Sequence, residues 1–130
     1  MLMNFSLDAF ISKCVTKRAV GLLDADLAAY HDALASELDG RRVLVVGGAG
    51  SIGSNFVKAV LRFRPTVLAV VDTNENALTE LVRDLRSEPD AYHIPEQFVT
   101  YPMDFSSATF YRWMDSEPPF DVAANFAAHK

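Results

Sequence analysis

Cysteine is almost absent from this sequence of 130 residues, with Cys14 as its single example. One cysteine cannot form a disulfide within the chain, which excludes a disulfide-stabilised scaffold and is typical of a reducing compartment. No apolar run approaches the roughly 20 residues that a helix needs to span a bilayer, and the first fourteen residues lack the basic start of a signal peptide. The sequence therefore predicts a cytoplasmic protein without a membrane span.

Positive charge is also scarce. Twelve lysines and arginines stand against seventeen aspartates and glutamates, which gives a formal net charge of -5. This balance, with no dense basic cluster, argues against a nucleic-acid partner. The three histidines, His31, His93 and His129, show no metal-ligand spacing with one another or with Cys14, so no metal site is predicted. Half of the residues are hydrophobic, which is enough for one domain with its own core.

Residues 1–40 are predicted to form a helical N-terminal extension. Ser6 is a candidate N-cap for a first helix, and a second helix is expected over residues 26–38, with Gly40 as its stop. Both helices are inferred from apolar residues that recur three or four positions apart. The first stripe contains Phe5, Phe10, Ile11 and Val15, and the second contains Leu27, Tyr30, Leu34 and Leu38.

Residues 41–130 alternate between strand and helix patterns. Strands are predicted at residues 43–46, 67–71, 97–101 and 121–127, and helices at 51–63, 74–87 and 107–115. Strands one, two and four are continuous apolar runs, which are typical of strands covered by helices on both faces. The pattern predicts an α/β fold, the N-terminal half of a Rossmann-type parallel sheet of about four strands in the order 3-2-1-4. The first helix is expected to point Ile52, Phe56, Val60 and Phe63 inward, the second presents Leu78, Leu81, Val82 and Leu85 on one face, and the third carries Phe110, Trp113 and Met114.

The first of these strands runs directly into a glycine-rich turn. Gly48, Gly50 and Gly53 match the spacing G-x-G-x-x-G, and Gly47, Gly50 and Gly53 match G-x-x-G-x-x-G. An apolar strand before the turn and an amphipathic helix after it form the context in which such glycines bind the pyrophosphate of a dinucleotide. One glycine permits a sharp turn, one lets the backbone approach the phosphates, and one lets the helix lie close to the sheet. The helix start contributes free N–H groups and its positive dipole end.

An acidic residue, Asp72, ends the second strand nineteen residues after Gly53. At this place a carboxylate accepts hydrogen bonds from the adenosine ribose hydroxyls and repels a 2′-phosphate. Residues 73–76 supply no compensating cation, so the sequence favours NAD over NADP. The alternative is that Asp72 only caps the following helix, and the two roles are compatible.

Two further segments follow strand ends. Asp104, after the third strand, is placed either to reach the adenine rim or to cap the helix that starts at Ser106 and Ser107. Small residues at 125–128, after the fourth strand, either leave room beside the glycine turn or fill a crowded core. The spacing alone leaves both alternatives open.

Together these residues resemble the extended short-chain dehydrogenase/reductase family. The likeness is to its nucleotide-sugar branch, the UDP-N-acetylglucosamine 4,6-dehydratases of polysaccharide biosynthesis and related 4-epimerases. It covers about residues 41–130 and is carried by residues 43–54, 70–72, 75–78, 103–104 and 125–130. One departure is Val46, where the family usually has threonine.

The resemblance implies a role for each part of an NAD site. The pyrophosphate would be wrapped by Gly47, Gly50, Ser51, Ile52 and Gly53. Asp72 would hold the adenosine ribose, and Asp104 with Phe105 would meet the adenine. Ala127 and Ala128 would line the nicotinamide half. No catalytic residue is assigned.

The catalytic pair of the family is missing from this sequence. Members resemble one another in a Tyr-x-x-x-Lys pair that transfers a proton at the sugar hydroxyl, but the four lysines, at positions 13, 17, 58 and 130, do not lie four residues after a tyrosine. Lys130 itself falls in a segment that leads toward the active site in this branch. We therefore expect the NAD-binding portion of an enzyme that acts on a UDP-sugar, inactive on its own. The alternative is a non-catalytic dinucleotide-binding module, a sensor or scaffold.

The predicted strand order leaves strand four at an edge of the sheet with an apolar border. Such an edge favours association. We expect it to be hidden either in a homo-oligomer or under the helices of residues 1–40.

Overall fold

The chain divides into two units, Met1–Leu34 and Ala35–Lys130, in a computed structural model that describes residues 6–128. The expectations for Phe5, His129 and Lys130 lie outside the described residues. Of the helices in the described part, none combines the length and apolar character needed to cross a bilayer.

The helices nearest the N-terminus are short. The first, α1 (Leu7–Phe10), continues into one π-helical turn (Ile11–Val15), and it is followed by α2 (Asp24–Ala29) and α3 (His31–Leu38). The Ser6 hydroxyl accepts a hydrogen bond from the Ala9 N–H at 3.2 Å, which confirms Ser6 as an N-cap. The single helix predicted over residues 26–38 is wrong, because the chain leaves helical geometry at Tyr30, where φ is -102° and ψ is 11°. Gly40 follows α3 with φ +72°, as expected of a glycine stop.

Four parallel strands form the sheet in the order β3-β2-β1-β4, as predicted. They are β1 (Arg42–Val46), β2 (Val67–Asp72), β3 (Gln97–Pro102) and β4 (Val122–Asn125). Val45 of β1 lies opposite Val70 of β2 on one side and Ala124 of β4 on the other. The last strand ends at Asn125, earlier than predicted, because the Asn125 side-chain oxygen accepts the N–H of Ala127 at 2.9 Å.

Helices cover both faces of this sheet. The core on one face includes residues of α4 (Ser51–Val60) and α5 (Glu75–Ser87), and the core on the other includes α6 (Ala108–Ser116). Alternate residues of β1 serve the two faces, so that Val43 and Val45 join the first core and Leu44 and Val46 the second. The helices contribute Leu78, Leu81, Leu85 and Phe110 to these cores, in agreement with the sequence pattern. The α/β, Rossmann-type fold is confirmed.

The inward face of α4 agrees with the prediction at Val60, which is buried, and at Phe56, which packs against the core, but not at Ile52. Ile52 is 71% exposed rather than inward, whereas Gly53, Val57 and Val60 are buried. Gly53 fixes this rotation, because α4 lies so close to the preceding turn that only a residue without a side chain fits between them. The helix also ends at Val60 instead of continuing to Phe63.

Candidate functional site

A cavity of about 310 Å³ opens at the edge of the sheet where the parallel strands end. Ligands of open α/β sheets bind at this edge. Seven of the ten predicted site residues line the cavity: Gly47, Gly50, Asp72, Asp104, Phe105, Ala127 and Ala128. The other three, Ser51, Ile52 and Gly53, form the first turn of α4. The lining also contains Val46, Val71, Thr73, Met103 and Phe126. These five were not predicted as site residues, although each is adjacent in sequence to one that was.

The turn out of β1 depends on Gly47. Its φ of +71° lies in the left-handed region, which residues with a side chain rarely adopt. A Cβ at this position would also lie 2.5 Å from the backbone nitrogen of Ala127. The Gly47 N–H donates to the Val71 carbonyl at 2.7 Å, so the turn is tied to the end of β2. Gly47 is therefore the glycine that permits the sharp turn.

Gly53 allows α4 to pack on this turn. A Cβ at position 53 would overlap the carbonyl oxygen of Gly47 and would lie 2.8 Å from the Cα of Gly48. Both obstacles are backbone atoms, which cannot rotate away as a flexible side chain can. Close packing of helix and turn therefore requires glycine at this position.

Gly50 has no comparable constraint from the protein. Its φ of -71° and ψ of 172° are open to any residue, and a Cβ would meet only the Gly47 oxygen, at 3.7 Å. Gly50 is exposed, lines the cavity and is the N-cap of α4. The first N–H groups of a helix have no partners within it, and those of α4 follow Gly50 directly. A group bound against this helix start would explain why the position carries no side chain.

Asp72 connects the end of β2 to the glycine turn. One of its carboxylate oxygens accepts the N–H of Ala49 at 3.0 Å, and the other accepts the N–H of Asn74 at 2.9 Å. The N-cap of α5 is Asn74, whose side chain accepts the N–H of Ala77. The alternative in which Asp72 only caps this helix is therefore wrong. Its carboxylate is half-buried, fixed by two backbone groups and placed at the cavity.

Asp104 occupies the equivalent place after β3. Its carboxylate accepts the N–H of Ser106 at 2.8 Å and the hydroxyl of Ser106 at 2.7 Å. The N-cap of α6 is Ser107, whose hydroxyl accepts the N–H of Phe110. The alternative that Asp104 is the helix cap is therefore wrong, and Asp104 instead shapes the loop that carries it and Phe105 along the cavity.

The small residues after β4 serve both purposes that the sequence left open. Ala127 packs against the core that contains Phe110 and also lines the cavity with Ala128. Its backbone nitrogen is the nearest atom to the position of a Cβ on Gly47. Phe126, between β4 and these alanines, packs its ring 5.0 Å from that of Phe56 in α4. This packing holds the segment beside the glycine turn.

The cavity lining carries few polar side chains. Among residues 6–128, its charged or hydroxyl-bearing side chains are Asp72, Thr73 and Asp104, with no histidine, lysine, tyrosine or cysteine. In residues 6–128, no group of three or more His, Cys, Asp or Glu side chains could hold a metal ion. The arrangement therefore offers backbone N–H groups to an anion and carboxylates to hydroxyl groups.

Solved structures with a similar fold include Pen from Bacillus thuringiensis, with a TM-score of 0.58 and 22% identity. A protein described as a short chain dehydrogenase from Shigella flexneri gives a TM-score of 0.52 at 19% identity. Each match covers 72% of this chain, but only 27% and 42% of those chains, respectively. These likenesses concern the fold, and they agree with the Rossmann-type sheet described above.

A curated relative is the uncharacterized membrane protein MJ1061 of Methanocaldococcus jannaschii, which is 50% identical over 48 residues. That stretch is 37% of this chain and 14% of the relative, so the chain spans a small part of that protein. A family model described as polysaccharide biosynthesis protein matches residues 43–130. Because this match covers more than half of the chain, the chain belongs to the polysaccharide biosynthesis protein family, as its resemblance to the nucleotide-sugar branch of the extended short-chain dehydrogenase/reductase family predicted.

Proposed function

We propose that the cavity binds NAD, and that the chain is the NAD-binding portion of a nucleotide-sugar dehydratase or epimerase similar to the UDP-N-acetylglucosamine 4,6-dehydratases. The observation that carries the proposal is Gly50, a glycine that neither backbone conformation nor packing within the described protein requires. It lies where a pyrophosphate must approach the backbone. Family membership supports the choice of sugar chemistry.

The start of α4 is suited to the pyrophosphate. The N–H groups of Ser51, Ile52 and Gly53 belong to the first helical turn, where the positive end of the helix dipole favours an anion. The exposure of the Ile52 side chain does not affect this role, since the backbone supplies the hydrogen bonds. Gly47 and Gly53 hold the turn and the helix in the required positions.

Asp72 is suited to the adenosine ribose. An ionised carboxylate has about four acceptor positions, and the N–H groups of Ala49 and Asn74 use two of them. The remaining positions can accept the two ribose hydroxyls. In the same way Asp104 and Phe105 are assigned to the adenine, and Ala127 and Ala128 to the nicotinamide half. Bound NAD supplies the hydride acceptor for oxidation of the sugar at C4.

The cofactor preference is tested by calorimetric titration. We expect NAD to bind at least about tenfold more tightly than NADP, because the Asp72 carboxylate repels a 2′-phosphate. Asp72→Asn removes the charge and should bring the two affinities closer together. Asp84→Asn, on the exposed side of α5, is the matched control and should leave the ratio unchanged. Tighter binding of NADP by the unaltered protein would contradict the role given to Asp72.

Turnover is tested by incubating the NAD-loaded protein with UDP-N-acetylglucosamine. We expect no 4-keto sugar and no epimer, because the sequence contains no Tyr-x-x-x-Lys pair and, among residues 6–128, the cavity lining has no tyrosine or lysine for proton transfer. Binding of NAD without turnover is also what the second candidate, a non-catalytic module, requires. A longer form of the protein that contains such a pair and acts on the sugar would favour the enzyme over the non-catalytic module. Product formed by the 130-residue chain would contradict the assignment of binding alone.

A further inference from the structure

The N-terminal unit, Met1–Leu34, exposes an unusual number of large apolar side chains. Six of them are at least 60% exposed: Leu7, Val15, Val20, Leu22, Leu23 and Tyr30. In the described part of the much longer unit Ala35–Lys130, only Ile52 and Tyr111 reach this exposure. Exposed apolar side chains at such density mark an interaction surface.

Residues 6–34 of this unit form no internal core. Among the side chains described in residues 6–34, none is buried. Cys14 is free and exposed, and residues 6–128 contain no metal-binding group. A segment of fewer than about 40 residues usually needs a disulfide, a metal or association with another surface to fold stably. The apolar side chains of this unit are therefore expected to be covered by a partner.

Within residues 13–32 the charge changes sign across an apolar centre, formed by Val20, Leu22 and Leu23. The basic segment before it consists of Lys13, Lys17 and Arg18, and the acidic segment after it consists of Asp24, Asp26 and Asp32. Within residues 6–128, no ion pair joins the two segments. Asp24 accepts the Gly21 N–H at 2.8 Å, and Asp32 lies 3.4 Å from Nδ1 of His31, but both residues are exposed and can face a partner.

We propose that this surface binds the same surface of a second copy of the chain in a two-fold symmetric pair. In such an interface a contact between residues i and j occurs twice, with the roles of the copies exchanged. A segment that is basic before its apolar centre and acidic after it is complementary to itself when two copies run antiparallel. The apolar centres meet at the two-fold axis, and each basic segment faces the acidic segment of the other copy.

A second copy fits this surface better than an anionic membrane does. The acidic segment and the net charge of -5 both oppose binding to negatively charged headgroups. A self-complementary charge pattern, by contrast, is matched at both ends by a second copy of the same segment. The pairing also provides a rim of opposite charges around an apolar centre, which is the usual organisation of protein interfaces.

Sedimentation of the full chain over a series of concentrations tests the apolar centre. We expect a reversible dimer whose dissociation constant rises roughly a hundredfold in the variant Leu22→Ser with Leu23→Ser, because four leucines leave the interface. Tyr111→Ser, which alters an equally exposed side chain on α6, is the control and should not change the dissociation constant. A monomer at every concentration, or a leucine variant that dimerises like the unaltered chain, would overturn the proposal.

Charge reversal tests the pairing itself. Lys13→Glu with Arg18→Glu makes both segments acidic, and Asp26→Lys with Asp32→Lys makes both basic. We expect each variant alone to dimerise at least roughly tenfold more weakly and an equimolar mixture to recover dimerisation, because the mixed pair is complementary at both contacts. Two variants that had merely unfolded could not restore each other. Failure of the mixture to recover, or co-sedimentation of the unaltered chain with phosphatidylserine vesicles as a monomer, would rule out a second copy as the partner.

Discussion

Replacing Gly50 with alanine leaves the protein folded and lowers its affinity for NAD by about ten- to a hundredfold. The added Cβ meets only the Gly47 oxygen, at 3.7 Å, and needs no change of backbone conformation. The methyl group nevertheless lies at the cavity beside the first turn of α4, where it prevents the pyrophosphate from reaching the backbone. One charge-assisted hydrogen bond contributes about 1.5–3 kcal/mol, so the loss of one such bond accounts for this range.

A second glycine provides the matched control. Gly40 has φ +72° and no atom within 4 Å of a built Cβ, so Gly40→Ala adds conformational strain without touching the cavity. We expect it to lower the free energy of unfolding by about 1–2 kcal/mol and to leave NAD affinity unchanged. The two variants thus separate binding from stability, measured by calorimetric titration and by thermal unfolding. Equal NAD affinity in Gly50→Ala and the unaltered protein would contradict the proposed pyrophosphate position.

The glycine spacing predicted a dinucleotide-binding turn, but it could not assign the sharp turn, the approach to the phosphates and the helix packing to particular glycines. Gly47, Gly50 and Gly53 look alike in the sequence, and a second spacing with Gly48 in place of Gly47 fits equally well. Their differences arise from tertiary contacts: Gly47 has a positive φ, Gly53 faces the backbone of the turn, and Gly50 faces the cavity. Only the third role depends on a ligand, which is why Gly50 and not its neighbours carries the functional proposal.

The buried face of a helix could be predicted from the apolar spacing on α5, but only in part on α4. On α5 the apolar spacing identified Leu78, Leu81 and Leu85 correctly, because an amphipathic helix buries its most apolar face, while Val82 at the margin of that face is half-buried. On α4 the same reasoning placed Ile52 inside, but the close approach at Gly53 rotates the helix and leaves Ile52 exposed. A pattern of apolar residues does not record contacts between two backbones.

The side-chain hydrogen bonds around the cavity were the least predictable feature. The carboxylates of Asp72 and Asp104 were recognised, but helix capping belongs to Asn74 and Ser107, each close to them in sequence. Asx- and serine-type caps depend on one or two residues of register, which a sequence pattern does not resolve. The bond from the Ala49 N–H to Asp72 spans 23 positions and could be found only in the folded chain.

That bond connects the two halves of the proposed NAD site. Ala49 lies between Gly47 and Gly50, so the residue assigned to the ribose also helps to hold the turn assigned to the phosphates. The turn is fixed a second time by the bond from the Gly47 N–H to Val71, the residue before Asp72. A change that displaces the turn is therefore expected to move the ribose carboxylate as well.

Gly53→Ala is expected to destabilise the protein more than either Gly40→Ala or Gly50→Ala does. The new Cβ would overlap the Gly47 carbonyl oxygen and crowd the Cα of Gly48, so α4 must move away from the turn. Overpacking of this kind costs about 1–3 kcal/mol, and we expect a loss near the upper end because both obstacles are backbone. For a unit of this size that corresponds to a melting temperature lower by roughly 10–20 °C. Displacement of the turn should abolish measurable NAD binding.

The sign of this effect separates the two physical explanations of Gly53. Helix propensity alone predicts that alanine in place of a helical glycine stabilises the protein by about 1 kcal/mol, whereas the contact with Gly47 predicts a loss. Ala59→Gly, at an exposed position of the same helix, is the control for helix propensity alone and should lower stability by about 1 kcal/mol without changing NAD affinity. Thermal unfolding and NAD titration of the two variants measure both quantities. A Gly53→Ala protein as stable as the unaltered one would show that α4 does not need to lie against the turn. The roles assigned to Gly47 in the turn and to Gly50 at the pyrophosphate would then be contradicted as well.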